Sequence, residues 1–89
     1  MIVTKTEIIN KYGLHMRPAG EVADVASGFK SSIKIITKDR EANAKSMMDL
    51  VMLGAKKGTK ITIEADGEDA DEAVEEIINL IENGFESIS

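Results

Sequence analysis

The chemistry available to this chain is concentrated around its single histidine, in the run from Tyr12 to Ala19. Imidazole is partly uncharged near neutral pH, so His15 can act as a nucleophile. A guanidinium follows two positions later at Arg17, and it can form charge-assisted hydrogen bonds with an oxyanion. This combination predicts a site where a nucleophilic histidine meets an anionic group.

A helix must begin beside His15 for such a site to form. Pro18 suits a first helical turn, and small apolar residues recur at helical spacing, which predicts a helix from about Met16 to Ser27. The free N–H groups of that turn and the positive end of the helix dipole would then face an anion beside His15. A lone histidine in a small domain is more often a surface or capping residue, and the residues alone leave both interpretations open.

The remaining segments predict one α+β domain over residues 1–89. Ser46 is the expected N-cap of a short helix, Asp69 and Glu72 suggest a capping box for the last helix, and the tail 86–89 is expected to fray. The element order β-α-β-β-α-β-α favours a four-stranded, mainly antiparallel sheet covered on one face by three helices. The other predicted elements are a helix at about 47–53, a last helix from Ala70 to a stop signal at 83–85, and strands at about 2–9, 32–37, 41–45 and 60–65.

Composition excludes several classes of function. The 89 residues include no cysteine, so disulfides, thiolate metal sites and cysteine nucleophiles are impossible. A net charge of −5 disfavours nucleic-acid binding. The apolar stretches are too short to span a bilayer, and the start does not resemble a signal peptide. We therefore expect a cytoplasmic monomer without metal or cofactor.

Three motifs together resemble the HPr family, the histidine-containing phosphocarriers of the bacterial phosphoenolpyruvate-dependent sugar phosphotransferase system. They are Gly-Leu-His-x-Arg-Pro-Ala at 13–19, Lys-Ser-Met-Met at 45–48 and Leu-Gly-Ala-Lys-Lys-Gly at 53–58. The resemblance implies an open-faced β-sandwich. It also implies that Nδ1 of His15 accepts a phosphoryl group from enzyme I and passes it to IIA domains of sugar permeases, as a stoichiometric carrier and not as an enzyme.

The same resemblance suggests roles for other residues. Arg17 matches an arginine beside the phosphoryl group, Gly54 matches a glycine packed near the site, and Met16 needs to contribute only its backbone N–H. Ser46 matches a serine that an HPr kinase/phosphorylase modifies, which would add a catabolite-control transcription factor as a partner. Capping alone would also explain Ser46.

Three positions depart from the family pattern, and one of them is Met16, which replaces the usual alanine or threonine. Asp49 stands where glycine or lysine is more common, and its carboxylate would repel a phosphate on Ser46 or complete a capping box. Tyr12 replaces a small polar residue, so its phenol could hydrogen-bond near the site or stack on the imidazole. These departures affect the details of the site more than the resemblance itself.

A methionine-rich segment follows Ser46 and has two interpretations. Methionines at helical spacing are usually core residues, but exposed ones form adaptable docking surfaces. We expect Met47 and Met48 to be partly exposed and to dock partners, while Leu50 and Leu53 are buried. Two rival functions stay open: a regulatory HPr-like carrier in nitrogen or catabolite control, and a ferredoxin-like binding domain in which His15 is structural.

Overall fold

The fold is an open sheet with helices packed on one of its faces. The computed structural model describes residues 1–85, so the expected fraying of the tail 86–89 lies outside it. The elements follow the predicted order, which confirms the α+β fold: β1 Ile2–Glu7, α1 Met16–Ser27, β2 Ser32–Ile36, β3 Glu41–Asn43, α2 Met47–Met52, β4 Lys60–Asp66 and α3 Ala70–Glu82. Neighbouring strands are antiparallel in the spatial order β1-β4-β2-β3.

The register of the sheet directs one row of side chains into the core. Ile63 of β4 pairs with Ile35 on one side and with Thr4 on the other, and both isoleucines are fully buried. The sequence left the register of β1 unclear, since apolar residues fall on both of its faces. Pairing with β4 decides it: Ile2 is half-buried against the core, and Val3 is 53% exposed.

Helix α1 has the predicted bounds and buries the predicted face. Its buried residues are Pro18, Ala19, Val22, Ala23 and Ala26. The short side chains on this face allow the helix to lie close to its neighbours. Helix α3 likewise buries its apolar stripe, and both helices contribute to the same core as the sheet. The core thereby fixes the direction in which the first turn of α1 points.

The capping box predicted at the start of α3 is wrong. The Asp69 side chain makes no bond to its own helix. Its carboxylate instead accepts hydrogen bonds from the backbone N–H of Lys30 at 2.8 Å, the backbone N–H of Ser31 at 2.9 Å and the Ser31 hydroxyl. This group of contacts is called the Asp69–Ser31 clamp below. The Ser31 hydroxyl and then the Lys30 N–H lower the pKa of Asp69 from 3.8 to about 2, because they stabilise the carboxylate.

Candidate phosphoryl site

The loop before α1 is held in place by a close backbone contact. The N–H of Leu14 donates to the carbonyl of Ala55 at 2.9 Å, and the Asn10 side-chain amide donates to the carbonyl of Gly13 at 2.8 Å. Gly13 has a φ of +67°, and a Cβ there would lie 2.8 Å from the Cα of Lys56. Only glycine fits this approach, which sets the position of the next residue but one, His15.

His15 occupies the N-cap position of α1 without capping the helix. Its backbone is extended, with φ −77° and ψ −172°, and its carbonyl accepts the N–H of Ala19 at 3.0 Å. The side chain is half-buried. Its Nε2 atom is buried and has no hydrogen-bond partner.

Positive potential surrounds the start of the helix. The Arg17 side chain is exposed, and within residues 1–85 it forms no ion pair. The backbone N–H groups of Met16 and Arg17 have no acceptor in the same range, and Pro18 has no N–H. An anion beside His15 would thus meet two free N–H donors, the helix dipole and a guanidinium.

Tyr12 lies next to the imidazole. Their ring centroids are 6.0 Å apart and the planes are nearly perpendicular, at 88°. On the Tyr12 ring, the Lys11 ammonium lies 5.2 Å from the centroid. The sequence suggested either a hydrogen bond from the phenol or stacking on the imidazole, whereas the structure shows an edge-to-face contact between the two rings.

Gly54 has a different position from the packed glycine that the resemblance suggested. It is exposed, and a Cβ added there would meet no atom within 4 Å. Its φ of +65° makes the turn that ends α2 and leads into Ala55, the residue that holds Leu14. Glycine is favoured here by the left-handed backbone and not by contact with a neighbour.

Ser46 begins α2 as predicted. Its hydroxyl accepts the N–H of Asp49 at 3.2 Å. The reciprocal half of a capping box does not form, because the Ser46 N–H donates to the carbonyl of Asn43 at 3.0 Å. The Asp49 carboxylate accepts the N–H of Asn43 at 3.3 Å instead.

The methionines of α2 have the predicted exposure. Met48 is 60% exposed and Met47 is half-buried, while Leu50 and Leu53 are buried. The sulfur of Met47 lies 3.5 Å from the position of a Cβ on Gly20, so the start of α2 lies directly against α1. The start of α2, which carries Met47 and Met48, therefore lies beside α1.

Comparison with known proteins agrees with this geometry. The family model described as the PTS HPr component phosphorylation site matches residues 2–83. The chain belongs to the HPr family. The phosphocarrier protein HPr of Neisseria meningitidis serogroup A is 45% identical over 85 residues, covering 96% of this chain and 94% of the relative. A phosphocarrier role in the phosphotransferase system follows from membership in this family.

Solved structures of HPr share the fold. The crystal structure of HPr-C-His from Thermoanaerobacter tengcongensis has a TM-score of 0.91 at 39% identity and covers 96% of both chains. A crystal structure of an HPr dimer from the same organism has a TM-score of 0.75 at 39% identity, covering 96% of this chain and 98% of that one. A dimer therefore occurs within the HPr family, whereas the sequence analysis expected this chain to be a monomer. Among the described residues, no helix has the length and apolar character needed to cross a membrane.

Proposed function

We propose that residues 1–89 form a single carrier domain that accepts a phosphoryl group on Nδ1 of His15 from enzyme I. The domain then donates this group to IIA domains of sugar permeases. One observation carries the proposal: Nε2 is buried and unpaired, while the half-buried ring stands beside free N–H donors at the start of α1. A buried Nε2 supports Nδ1 as the nitrogen that accepts the incoming group.

The transfer balances as a simple displacement. With the ring proton on Nε2, the lone pair of Nδ1 attacks the phosphorus. The bond from phosphorus to the donor atom of enzyme I breaks, and its electron pair stays with that atom. Donation to a IIA domain runs the same displacement with Nδ1 as the leaving atom. No proton has to be removed from Nδ1 at any point.

The site is suited to a carrier because its hold on phosphate is modest. One exposed arginine and two backbone N–H groups stabilise the phosphoryl oxygens, and they are open to solvent on one side. Phosphoryl transfer depends mainly on positioning and charge. Partner proteins would supply the remaining stabilisation, so the chain acts as a stoichiometric carrier and not as an enzyme by itself.

Incubation with labelled phosphoenolpyruvate and enzyme I tests the proposal. We expect one acid-labile label per chain in the wild type, since a phosphorus–nitrogen bond is formed, and its loss on mixing with a IIA domain. A chain that takes the label but does not pass it to any sugar-specific IIA domain would instead belong to a regulatory branch of the family. An unlabelled wild type would favour the third interpretation, a structural His15.

The exposed methionines are the proposed docking surface for enzyme I. Met47 and Met48 lie at the start of α2, and the Met47 sulfur lies against Gly20 of α1, so the surface is beside the helix that begins directly after His15. Unbranched thioether side chains adapt to more than one partner surface. A carrier that meets a donor and several acceptors requires this adaptability.

Ser46 is the proposed site of regulatory phosphorylation by an HPr kinase/phosphorylase, and a catabolite-control transcription factor would read the mark. Its hydroxyl is half-buried and bonded to the N–H of Asp49. A phosphate there gains from the helix terminus but faces the Asp49 carboxylate. Incubation with kinase and ATP, followed by mass spectrometry, tests this, with Ser46→Ala as the control. We expect the Asp49→Asn variant to be phosphorylated on Ser46 faster than the wild type. An equal rate would mean that the Asp49 carboxylate does not hinder this phosphorylation.

We further propose that the carrier works as a cytoplasmic monomer. Strand β1 completes its pairing with β4 of the same chain along its whole length, so β1 needs no partner strand from a second copy. Light scattering across a range of protein concentrations measures the mass directly. A constant mass near 9.6 kDa is expected, and a mass twice as large would place this chain with the dimeric relative.

A further inference from the structure

The plane of the His15 imidazole must be held by some contact if Nδ1 is to face an incoming group. Within residues 1–85 the ring makes no hydrogen bond: it does not cap α1, and its buried Nε2 has no partner. In most sites a second hydrogen-bonded group fixes the plane of a reactive imidazole. Here the directional contact recorded for the ring is with Tyr12, at 6.0 Å between centroids and 88° between planes.

We infer that Tyr12 is a positioning residue that sets the plane of the His15 imidazole and so speeds phosphoryl transfer. The inference rests on the proposed function and names a residue that departs from the family pattern. Perpendicular aromatic pairs are favoured because the positive edge of one ring meets the negative face of the other. Rotation of the imidazole would lose that contact, so the phenol ring restrains it.

Lys11 strengthens the same arrangement. Its ammonium lies 5.2 Å from the centroid of the Tyr12 ring, within the range of cation–π attraction. Tyr12 is 61% exposed, so its ring has few other contacts to hold it. Lysine, tyrosine and histidine thus form a short row in which each group limits the motion of the next, and the row adds a positive charge near the proposed phosphoryl site.

Two substitutions at Tyr12 separate the ring from its hydroxyl. Tyr12→Phe keeps an aromatic ring, whereas Tyr12→Ser restores a small polar residue. We expect the ring-current shifts of the His15 carbon-bound protons in NMR spectra to survive in the Phe variant and to vanish in the Ser variant. With phosphorylated enzyme I, kcat should fall about fivefold or more in Tyr12→Ser, as loss of orientation predicts, with little change in KM. Tyr12→Phe should restore the wild-type kcat.

Three results would overturn the inference. Unchanged ring shifts and kcat in Tyr12→Ser would mean that another contact fixes the imidazole. A rise in KM alone would make Tyr12 a docking residue. Failure of Tyr12→Phe to restore kcat would assign the effect to the hydroxyl. If the wild type itself accepts no phosphoryl group, the proposed function fails, and the ring shifts still decide whether Tyr12 orients His15.

Discussion

The N-cap positions of α1 and α3 offer a direct contrast within one fold. A polar residue precedes each helix, His15 before α1 and Asp69 before α3, and neither side chain caps its helix. Asp69 accepts three hydrogen bonds from Lys30 and Ser31, and so joins α3 to the segment that follows α1. His15 has no hydrogen-bond partner for its buried Nε2, and the N–H groups beside it stay free.

The contrast separates hydrogen-bonding groups used for folding from those kept for a partner. A buried polar group without a partner costs about 1–3 kcal/mol. At the start of α1, the hydrogen bond between Leu14 and Ala55 and the packing of the helix offset this unfavourable free energy. Under the proposed function, the free N–H groups beside His15 would bind the phosphoryl oxygens, whereas the Asp69 carboxylate is already bonded to donors of its own chain.

Replacing the histidine should give the largest functional effect. His15→Ala removes the accepting nitrogen, so we expect complete loss of label from phosphoenolpyruvate and enzyme I. Because the ring makes no hydrogen bond and its removal also removes the unpaired buried Nε2, the free energy of unfolding should not fall by more than about 1 kcal/mol. Thermal unfolding and label uptake measure both. Residual label at the wild-type level would place the acceptor elsewhere, and a large loss of stability would make His15 a folding residue like Asp69.

Arg17→Ala should slow the transfer without stopping it. Loss of one charged donor to the phosphoryl oxygens predicts a decrease in rate of about tenfold or more, since partner proteins supply part of the stabilisation. Arg17→Lys is the matched control, because it keeps the charge but not the planar fork of donors. Rapid-quench measurement gives the rates. If Arg17→Ala transferred the phosphoryl group at the wild-type rate, the guanidinium would make no contribution to the transfer.

The clamp should stabilise the fold at neutral pH, lose that contribution in acid, and leave phosphoryl transfer unchanged. Asp69 has a pKa of about 2 in the folded protein and an ordinary value of 3.8, so its contribution is complete above pH 4 and is lost as the pH falls toward 2. Asp69→Asn should therefore unfold at a lower temperature than the wild type at pH 7, and the gap should narrow between pH 4 and pH 2. A gap independent of pH would contradict the charged clamp.

Ser31→Ala is a second clamp variant, and it leaves the charge of Asp69 in place. It removes one hydroxyl donor from the carboxylate and leaves the backbone N–H in place. We expect a loss of about 1–2 kcal/mol in the free energy of unfolding at neutral pH. Label uptake by either clamp variant should equal that of the wild type. Reduced uptake would contradict the claim that the clamp serves folding and not phosphoryl transfer.

The docking surface should give the smallest effect. Met47→Glu places a charge on the methionine surface, and we expect KM for enzyme I to rise several-fold with kcat unchanged. Val3→Glu is the matched control, since Val3 is an exposed apolar residue on β1. Steady-state transfer assays distinguish the two variants. Equal KM values for both would assign Met47 to packing alone.

The sequence predicted the features that depend on local pattern. The spacing of Ala19, Val22 and Ala26 is enough to place α1 and its buried face. Strand β1 could not be oriented in the same way, because Ile2 and Val3 are both apolar and only pairing with β4 decides which of them faces inward.

Contacts between distant segments had no local signal. Asp69 finds its partner Lys30 39 residues earlier in the chain, and this tertiary contact prevails over the capping box that its neighbours suggested. The same distinction between local pattern and distant contacts applies to the candidate site. His15 and Arg17 stand out in the sequence, but the burial of Nε2 and the edge-to-face contact with Tyr12 depend on how the loop is held against Ala55.

The central claim is that Nδ1 of His15 is the atom that carries the phosphoryl group. Phosphorylation of uniformly ¹⁵N-labelled protein by enzyme I, followed by ¹⁵N and ³¹P NMR, identifies the bonded nitrogen directly. The account predicts one phosphorus–nitrogen bond, at Nδ1, with Nε2 still carrying its proton. A phosphoryl group on Nε2, or on any other residue of the chain, would contradict it.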